Sequence, residues 1–305
     1  MKIQTVALMG AGAVGAYFIY GMSEKMGDNF CVIAEGARKE RLEKNGIQIN
    51  DKTYKLNVKT PEEAKGVDLL LIATKYDGLV DSLDAIETIT GENTIVLSLL
   101  NGIDSEELIS QRIGAEHVLY SFMRIVAARN GSAITFPPET TAGVIFGEKG
   151  ISEKTDRVKA IEALLDEVGL HYQFSEDIIS AQWTKFALNI TYNLPQAVLG
   201  IGYGCYFDSE HVDYINQRLL QEVTAVANRK GITIAPLGNT RNTCPPAARF
   251  STLQDLDAKR HTEVDMFLGV FITLAKELEI PVPFCEYTYH AIKALEEKND
   301  GKFDY

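Results

Sequence analysis

Three polar residues recur at intervals of four in an apolar stretch: Lys185, Asn189 and Asn193, within Trp183-Thr-Lys185-Phe-Ala-Leu-Asn189-Ile-Thr-Tyr-Asn193-Leu-Pro195. At about 100° per residue a step of four turns about 400°, so the three share one slowly rotating helical stripe. Their neighbours Phe186, Ala187, Leu188 and Ile190 are apolar, which predicts a largely buried helix. An ammonium and two amides on such a helix need polar partners, and a polar substrate in a cleft would supply them. The alternative is a lysine that snorkels to water and amides that cap local backbone. A second segment reads Ser251-Thr-Leu-Gln-Asp255, followed by Arg260-His-Thr-Glu263-Val-Asp265. On a helix expected over Leu253–Leu278, Glu263 shares a face with Phe267, Val270 and Leu274. A carboxylate there also needs a partner, and Lys185 is the candidate. His261 is a rival general acid, although its place suits a surface helix residue.

A different chemistry is written at the start of the chain. Gly10-Ala11-Gly12-Ala13-Val14-Gly15 follows an apolar run and opens a helical pattern. The first glycine permits a tight turn, the second lets a pyrophosphate approach the backbone, and the third lets helix and strand pack closely. The pyrophosphate would sit over the helix N-terminus, where free N–H groups and the dipole favour an anion. Glu35 ends the second apolar run, 20 residues beyond Gly15. A carboxylate there accepts hydrogen bonds from adenosine ribose hydroxyls and repels a 2′-phosphate. Arg38, Lys39 and Arg41 follow closely and offer the opposite chemistry. Lys75 and Asn101-Gly102 each end a later apolar run, the edge where open α/β sheets bind ligands.

The elements that must position these residues fall into two kinds. Up to Ser175, short apolar runs alternate with helical patterns. Strands are expected over Ile3–Met9, Phe30–Ala34, Leu69–Ala73, Thr94–Leu99, Val118–Ala127, Ser132–Phe136, Gly143–Phe146 and His171–Phe174, with a hairpin or meander over Gly46–Lys59. Helices are expected over Ala13–Lys25, Ala37–Lys44, Gly78–Ile89, Ser105–Ile113 and Lys154–Val168, the last capped by Gly169. This βαβ rhythm predicts a Rossmann-like, doubly wound parallel sheet. Beyond Ser175 the strands cease, and helices are expected over Asp177–Tyr192, Ser209–Lys230, Leu253–Leu278 and Phe284–Lys298. Gly200–Gly204 and Leu237–Pro246 read as loops, and Asn299–Tyr305 as a polar tail. The expected class is α/β, with residues 1–175 as an NAD(P)-binding domain and 176–305 as an all-helical substrate and catalytic domain.

Composition narrows the function from outside. A formal net charge of −12 over 305 residues argues against a nucleic-acid partner. The four cysteines, Cys31, Cys205, Cys244 and Cys285, form no CxxC pair, and the five histidines show no metal-site spacing. No metal is expected. No stretch reaches the roughly 18 apolar residues of a membrane helix, so the reading is a cytoplasmic protein with no membrane partner. A homodimer is admitted by this reading.

Taken together, the glycine loop, Ala-Thr-Lys75, Leu-Asn101-Gly102, the W-x-K-x-x-x-N-x-x-x-N run at Trp183, S-x-L-Q-D at Ser251 and T-E-x-D at Glu263 resemble the ketopantoate reductases (2-dehydropantoate 2-reductases). The resemblance runs over nearly the whole chain. It implies hydride transfer from NADPH to the 2-keto group of ketopantoate, giving pantoate, a step of pantothenate biosynthesis, in a cleft between the two domains. It also implies that Lys185 is the general acid, with Glu263 orienting it or contacting the cofactor ribose. Asn101, Asn189, Asn193 and Ser251 would hold the substrate, and Asn101, Lys75 and Ala127 would line the cofactor. The chain departs from the family where an arginine often ends the second strand, since Glu35 stands there. It departs again at Tyr203 and Ala248, where members often have asparagines. The cofactor is therefore open between NADP(H) and NAD(H), and the 2-keto acid between ketopantoate and a relative. A β-hydroxyacid dehydrogenase and a non-catalytic dinucleotide sensor are the competing readings; a sensor has no need of Lys185 with Glu263.

Overall fold

The computed structural model describes residues 2–130, 133–238, 241, 244–303 and 305. Ser132 of one expected strand, four residues of the expected loop Leu237–Pro246 (Asn239, Thr240, Asn242 and Thr243), and Asp304 of the tail lie outside them. The chain divides into two compact units, Met1–Ile178 and Ile179–Tyr305.

The first unit is built on β1 (Val6–Met9), β2 (Phe30–Ile33), β3 (Ile47–Ile49), β4 (Lys52–Tyr54), β5 (Val58–Lys59), β6 (Leu69–Ile72), β7 (Ile95–Ser98), β8 (Val118–Arg124), β9 (Ala128–Asn130), β10 (Ala133–Thr135), β11 (Gly143–Gly147) and β12 (Tyr172–Phe174). Its helices are α1 (Ala13–Met26), α2 (Gly36–Asn45), α3 (Tyr76–Val80), α4 (Leu83–Ile89), α5 (Ser105–Ile113) and α6 (Asp156–Val168). The eight-stranded main sheet runs β5-β2-β1-β6-β7-β8-β11-β12. From β5 to β8 all neighbours are parallel, and β1, β2, β6 and β7 are buried at every position. Unbroken apolar runs are what a sheet covered on both faces requires. Two separate buried clusters, one holding Val6, Leu8 and Phe18 and the other Ala7, Met9, Ile86 and Ile109, show that both faces are covered. The α/β doubly wound expectation is met, with corrections at the edges. β11 pairs antiparallel with β8, so the sheet is mixed. The Gly46–Lys59 stretch gives a β3–β4 hairpin in a small second sheet, while β5 leaves it to pair with β2. The helix expected over Gly78–Ile89 is two, α3 and α4, because the Ser82 N–H turns back to the Leu79 carbonyl at 3.0 Å.

The second unit is helical: α7 (Ile178–Leu188), α8 (Leu194–Leu199), α9 (Cys205–Asp208), α10 (Glu210–Arg229), α11 (Ser251–Asp257), α12 (Val270–Glu277) and α13 (Pro283–Asn299). Its core includes Trp183, Phe186, Phe267 and Phe271, each at most 3% exposed and stacked at 5.8–6.2 Å. Two expected helices are broken here. Between α7 and α8 lies a π-turn, Asn189–Asn193. Pro195 has no N–H to offer Thr191 four residues back, and its ring crowds that carbonyl, so the helix widens. The helix expected over Leu253–Leu278 ends at Asp257, with Lys259 in the left-handed region at φ 53°, and resumes through a second π-turn, Asp265–Gly269.

Candidate active site

The strand order reverses between β1 and β6, which places a crevice outside their carboxyl ends. Gly10 follows β1 at φ 103°, and a Cβ there would lie 2.5 Å from the Ala73 carbonyl carbon and oxygen beyond β6. A Cβ on Gly15 would run into the Gly10 carbonyl oxygen, whereas one on Gly12 would meet nothing within 4 Å. The three glycines thus divide the work: Gly10 and Gly15 make the turn close, and Gly12 leaves the space. Gly12 is the N-cap of α1 and supplies no side-chain cap. The first N–H groups of α1 thus receive no cap from that residue, the arrangement that suits an anion at a helix start. Ala11, Ala13 and Val14 line this loop half-buried.

The other residues expected at the cofactor stand at the carboxyl ends of β2, β6, β7 and β8. Glu35 is exposed, in extended backbone, and is the N-cap residue of α2. Of the three cations after it, Lys39 is held by Glu63 at 2.7 Å, which raises the lysine's pKa. Arg38 and Arg41 remain exposed on α2. Lys75 is the exposed N-cap residue of α3. Asn101 lies half-buried in the bend after β7, and Ala127 lies in the loop after β8, packed against the core. One link has no local signal in the sequence. Tyr76 donates to Asp104, joining the segment after β6 to the segment after β7. Burial pushes the Asp104 carboxyl above its ordinary range, against the pull of the tyrosine hydroxyl.

In the second unit the stripe survives the break in its helix. Lys185 is half-buried on α7, and Asn189 and Asn193 open and close the π-turn. The Asn193 amide donates to the Asn189 amide oxygen at 3.2 Å. The carbonyls loosened by the wider turn are claimed from outside it: Asn216 donates to Thr191 at 3.0 Å, and the Tyr206 hydroxyl to Tyr192 at 2.6 Å. Ser251 opens α11 directly after Phe250, whose N–H donates to the buried amide oxygen of Gln196 at 2.5 Å. Neither Asn216 nor Gln196 belongs to a motif that the sequence singles out. Pro195 inside a helical pattern is the available signal, since it frees a carbonyl that some donor must take.

Glu263 is half-buried in the bend just before the second π-turn rather than inside a continuous helix, and its carbonyl accepts the Phe267 N–H at 3.0 Å. Its segment is tied to α13. The Thr262 N–H and hydroxyl both donate to Glu296, which is 2% exposed, and Lys293 bridges Glu296 and Asp265 at 2.9 Å each. Burial alone would raise the Asp265 carboxyl, but hydrogen bonds from Lys293 and Tyr289 hold it below its ordinary value. His261 is exposed and bonds Asp300, as suits a surface residue. Among the described residues no cluster of histidine, cysteine and carboxylates could hold a metal, and no helix is long and apolar enough to cross a membrane.

A doubly wound sheet with a glycine-built anion crevice, followed by a helical unit carrying a lysine–amide stripe, defines a dinucleotide-dependent oxidoreductase. Two family models match the chain: ketopantoate reductase PanE/ApbA over residues 6–145, and the C-terminal region of the same family over 177–296. The chain belongs to the ketopantoate reductase family. A 2-dehydropantoate 2-reductase of Pyrococcus horikoshii is 26% identical, over 97% of this chain and 99% of the relative. The fold is shared with a PanE/ApbA family ketopantoate reductase of Ralstonia eutropha, at a TM-score of 0.82 and 23% identity over 97% of this chain and 99% of the other. It is also shared with a D-mandelate dehydrogenase in complex with NADH, at a TM-score of 0.84 and 24% identity over 96% and 99% of the two chains.

Proposed function

We propose that this chain reduces the 2-keto group of ketopantoate or a related 2-keto acid to the 2-hydroxy acid, using a nicotinamide dinucleotide. The observation that carries the reading is the Lys185, Asn189 and Asn193 stripe, kept through a π-turn whose loosened carbonyls are taken up elsewhere. Such turns occur often at functional sites. The open space at Gly12 and the uncapped start of α1 fit a pyrophosphate. Glu35, Lys75, Asn101 and Ala127 would meet the rest of the cofactor, with residues 1–175 as its domain and 176–305 as the substrate's.

A nicotinamide dinucleotide held at Gly10, Gly12 and Gly15 would supply the hydride and leave oxidised. Lys185 stabilises the negative charge that grows on the keto oxygen and gives that oxygen its proton. The keto carbon would thereby be reduced to the carbon bearing the 2-hydroxyl. Asn101, Asn189, Asn193 and Ser251 hold the substrate against loss of water. Glu263 orients Lys185 or meets the cofactor ribose. Glu35 favours NADH, because its carboxylate repels a 2′-phosphate and Lys39 is already paired with Glu63. Association into a homodimer belongs to this reading too: Tyr214 on α10 and Tyr287 on α13 are 59% and 69% exposed, and sedimentation over a concentration series tests it.

The central test is oxidation of NADH and of NADPH with a panel of 2-keto acids, for the wild type and Lys185→Ala. The expected loss in kcat is on the order of 10²–10⁴-fold, with dinucleotide binding retained. Unchanged turnover would remove Lys185 from the mechanism, and a strong NADPH preference would overturn the role given to Glu35.

A further inference from the structure

Two segments of the second unit lie side by side next to the substrate stripe. The Tyr203 N–H donates to the Ala248 carbonyl at 3.0 Å, and the Gly204 N–H to that of Pro246 at 2.8 Å. They approach so closely that a Cβ on Gly202 would lie 2.6 Å from the Pro246 oxygen. Gln196, fully buried, clamps them by donating to the Ala248 carbonyl at 2.9 Å while accepting from Phe250. Gln196 stands three residues after Asn193, and Phe250 immediately precedes Ser251. The clamp therefore sets this pair of segments beside two of the residues assigned to the substrate.

Rings fill the place so defined. Tyr203 is 3% exposed and packs its ring against Tyr192 at 5.7 Å, Phe207 at 5.4 Å, Phe250 at 5.4 Å and Tyr206 at 6.2 Å. Tyr192, Phe207 and Phe250 are only half-buried; the Arg241 guanidinium lies over the Phe207 ring at 5.6 Å, so the wall's exposed part is carried by Tyr192 and Phe250. The backbone groups that could have met a polar substrate are committed: Ala248 and Pro246 carbonyls and the N–H groups of Tyr203, Gly204 and Phe250 all bond within the wall. The Tyr206 hydroxyl is engaged by the Tyr192 carbonyl.

We infer that this aromatic wall receives the substrate's 2-substituent, and that the enzyme prefers 2-keto acids whose substituent is apolar, branched or aromatic over one bearing a hydroxyl. The inference rests on the 2-keto acid reductase reading above. A hydroxyl pressed against ring faces exchanges water for ring carbon over most of its contact, whereas an apolar group gains from leaving water. An apolar surface discriminates against an added hydroxyl by about tenfold to a hundredfold rather than absolutely.

The test compares kcat/KM for ketopantoate, its 4-deoxy analogue 3,3-dimethyl-2-oxobutanoate, and phenylglyoxylate, with the full chain and each nicotinamide cofactor. The 4-deoxy analogue and phenylglyoxylate are expected to exceed ketopantoate by about tenfold to a hundredfold. Equal or better use of ketopantoate overturns the inference and leaves the reductase reading standing. Failure to turn over any 2-keto acid, with dinucleotide still bound, overturns both. Tyr203→Asn should narrow the ratio between the 4-deoxy analogue and ketopantoate, because it returns an amide to the wall; an unchanged ratio in a folded variant counts against it. Phe250→Leu, at the half-buried edge, serves as the second variant. It should lower use of phenylglyoxylate relative to 3,3-dimethyl-2-oxobutanoate, and no change overturns the aromatic assignment.

Discussion

The glycine crevice and the lysine–amide stripe, the two places where a polar ligand is proposed to bind, are built from opposite materials. The crevice is built from backbone: three glycines, the end of a helix and the carboxyl ends of parallel strands. The stripe is built from side chains on a helix that has been forced out of regular geometry. A backbone site is specified by what the residues lack, and only a few substitutions break it. A side-chain site is specified by what each residue carries, and by distant residues that repair the helix around it.

This contrast is sharpest at the glycines. Gly15→Ala should cost several kcal/mol, because a Cβ there meets the Gly10 carbonyl at the strand–helix contact. Gly12→Ala should leave the melting temperature nearly unchanged, since nothing lies within 4 Å, yet weaken dinucleotide binding by filling the space for pyrophosphate. Paired thermal melts and cofactor titrations check this. If both variants lose stability equally, the division of labour within the loop is wrong.

Asn216→Ala tests the repair around the stripe. It strands the Thr191 carbonyl, a buried group, and should cost about 1–3 kcal/mol in denaturant unfolding. A fall in kcat larger than the loss of folded protein would show that the π-turn also positions Asn189 and Asn193. If kcat per folded molecule is unchanged, the turn is only structural.

The smallest effect concerns the tie between the Glu263 segment and α13. The Lys293–Asp265 pair is half open to water, so screening limits it to about 0.5–1 kcal/mol. Asp265 has a lowered pKa in the fold, so its share is present above the ordinary carboxylate value and is lost as pH falls through the folded one. Asp265→Asn should thus remove part of the stability difference between neutral and acid pH, which denaturant melts at both would read. An identical pH dependence in the variant would mean the pair contributes nothing.

What the sequence disclosed follows the same divide. The parallel strands are legible because β1, β2, β6 and β7 are short, wholly apolar runs. The crevice is legible because glycines at 10, 12 and 15, set between a strand and a helix, match what a pyrophosphate-binding turn demands of the backbone. Lys185, Asn189 and Asn193 stand out by their spacing alone. Breaks in the later helices do not show, because periodicity over Leu253–Leu278 continues across an interruption that Lys259 and the Glu296 contacts impose. The pairing of β11 against β8, and the departure of β5 from its hairpin, depend on partners far along the chain that no local window contains.

The π-turn has one more consequence. An ordinary helix end can fray by releasing its own hydrogen bonds one at a time. Here the carbonyls of Thr191 and Tyr192 are held by Asn216 on α10 and by Tyr206 on α9. Opening this turn therefore gives up contacts to α9 and α10 as well as its own hydrogen bonds. The residues that would meet the substrate are thereby expected to share the opening free energy of a larger cooperative unit, which slower amide exchange across the turn than at the end of α8 would read.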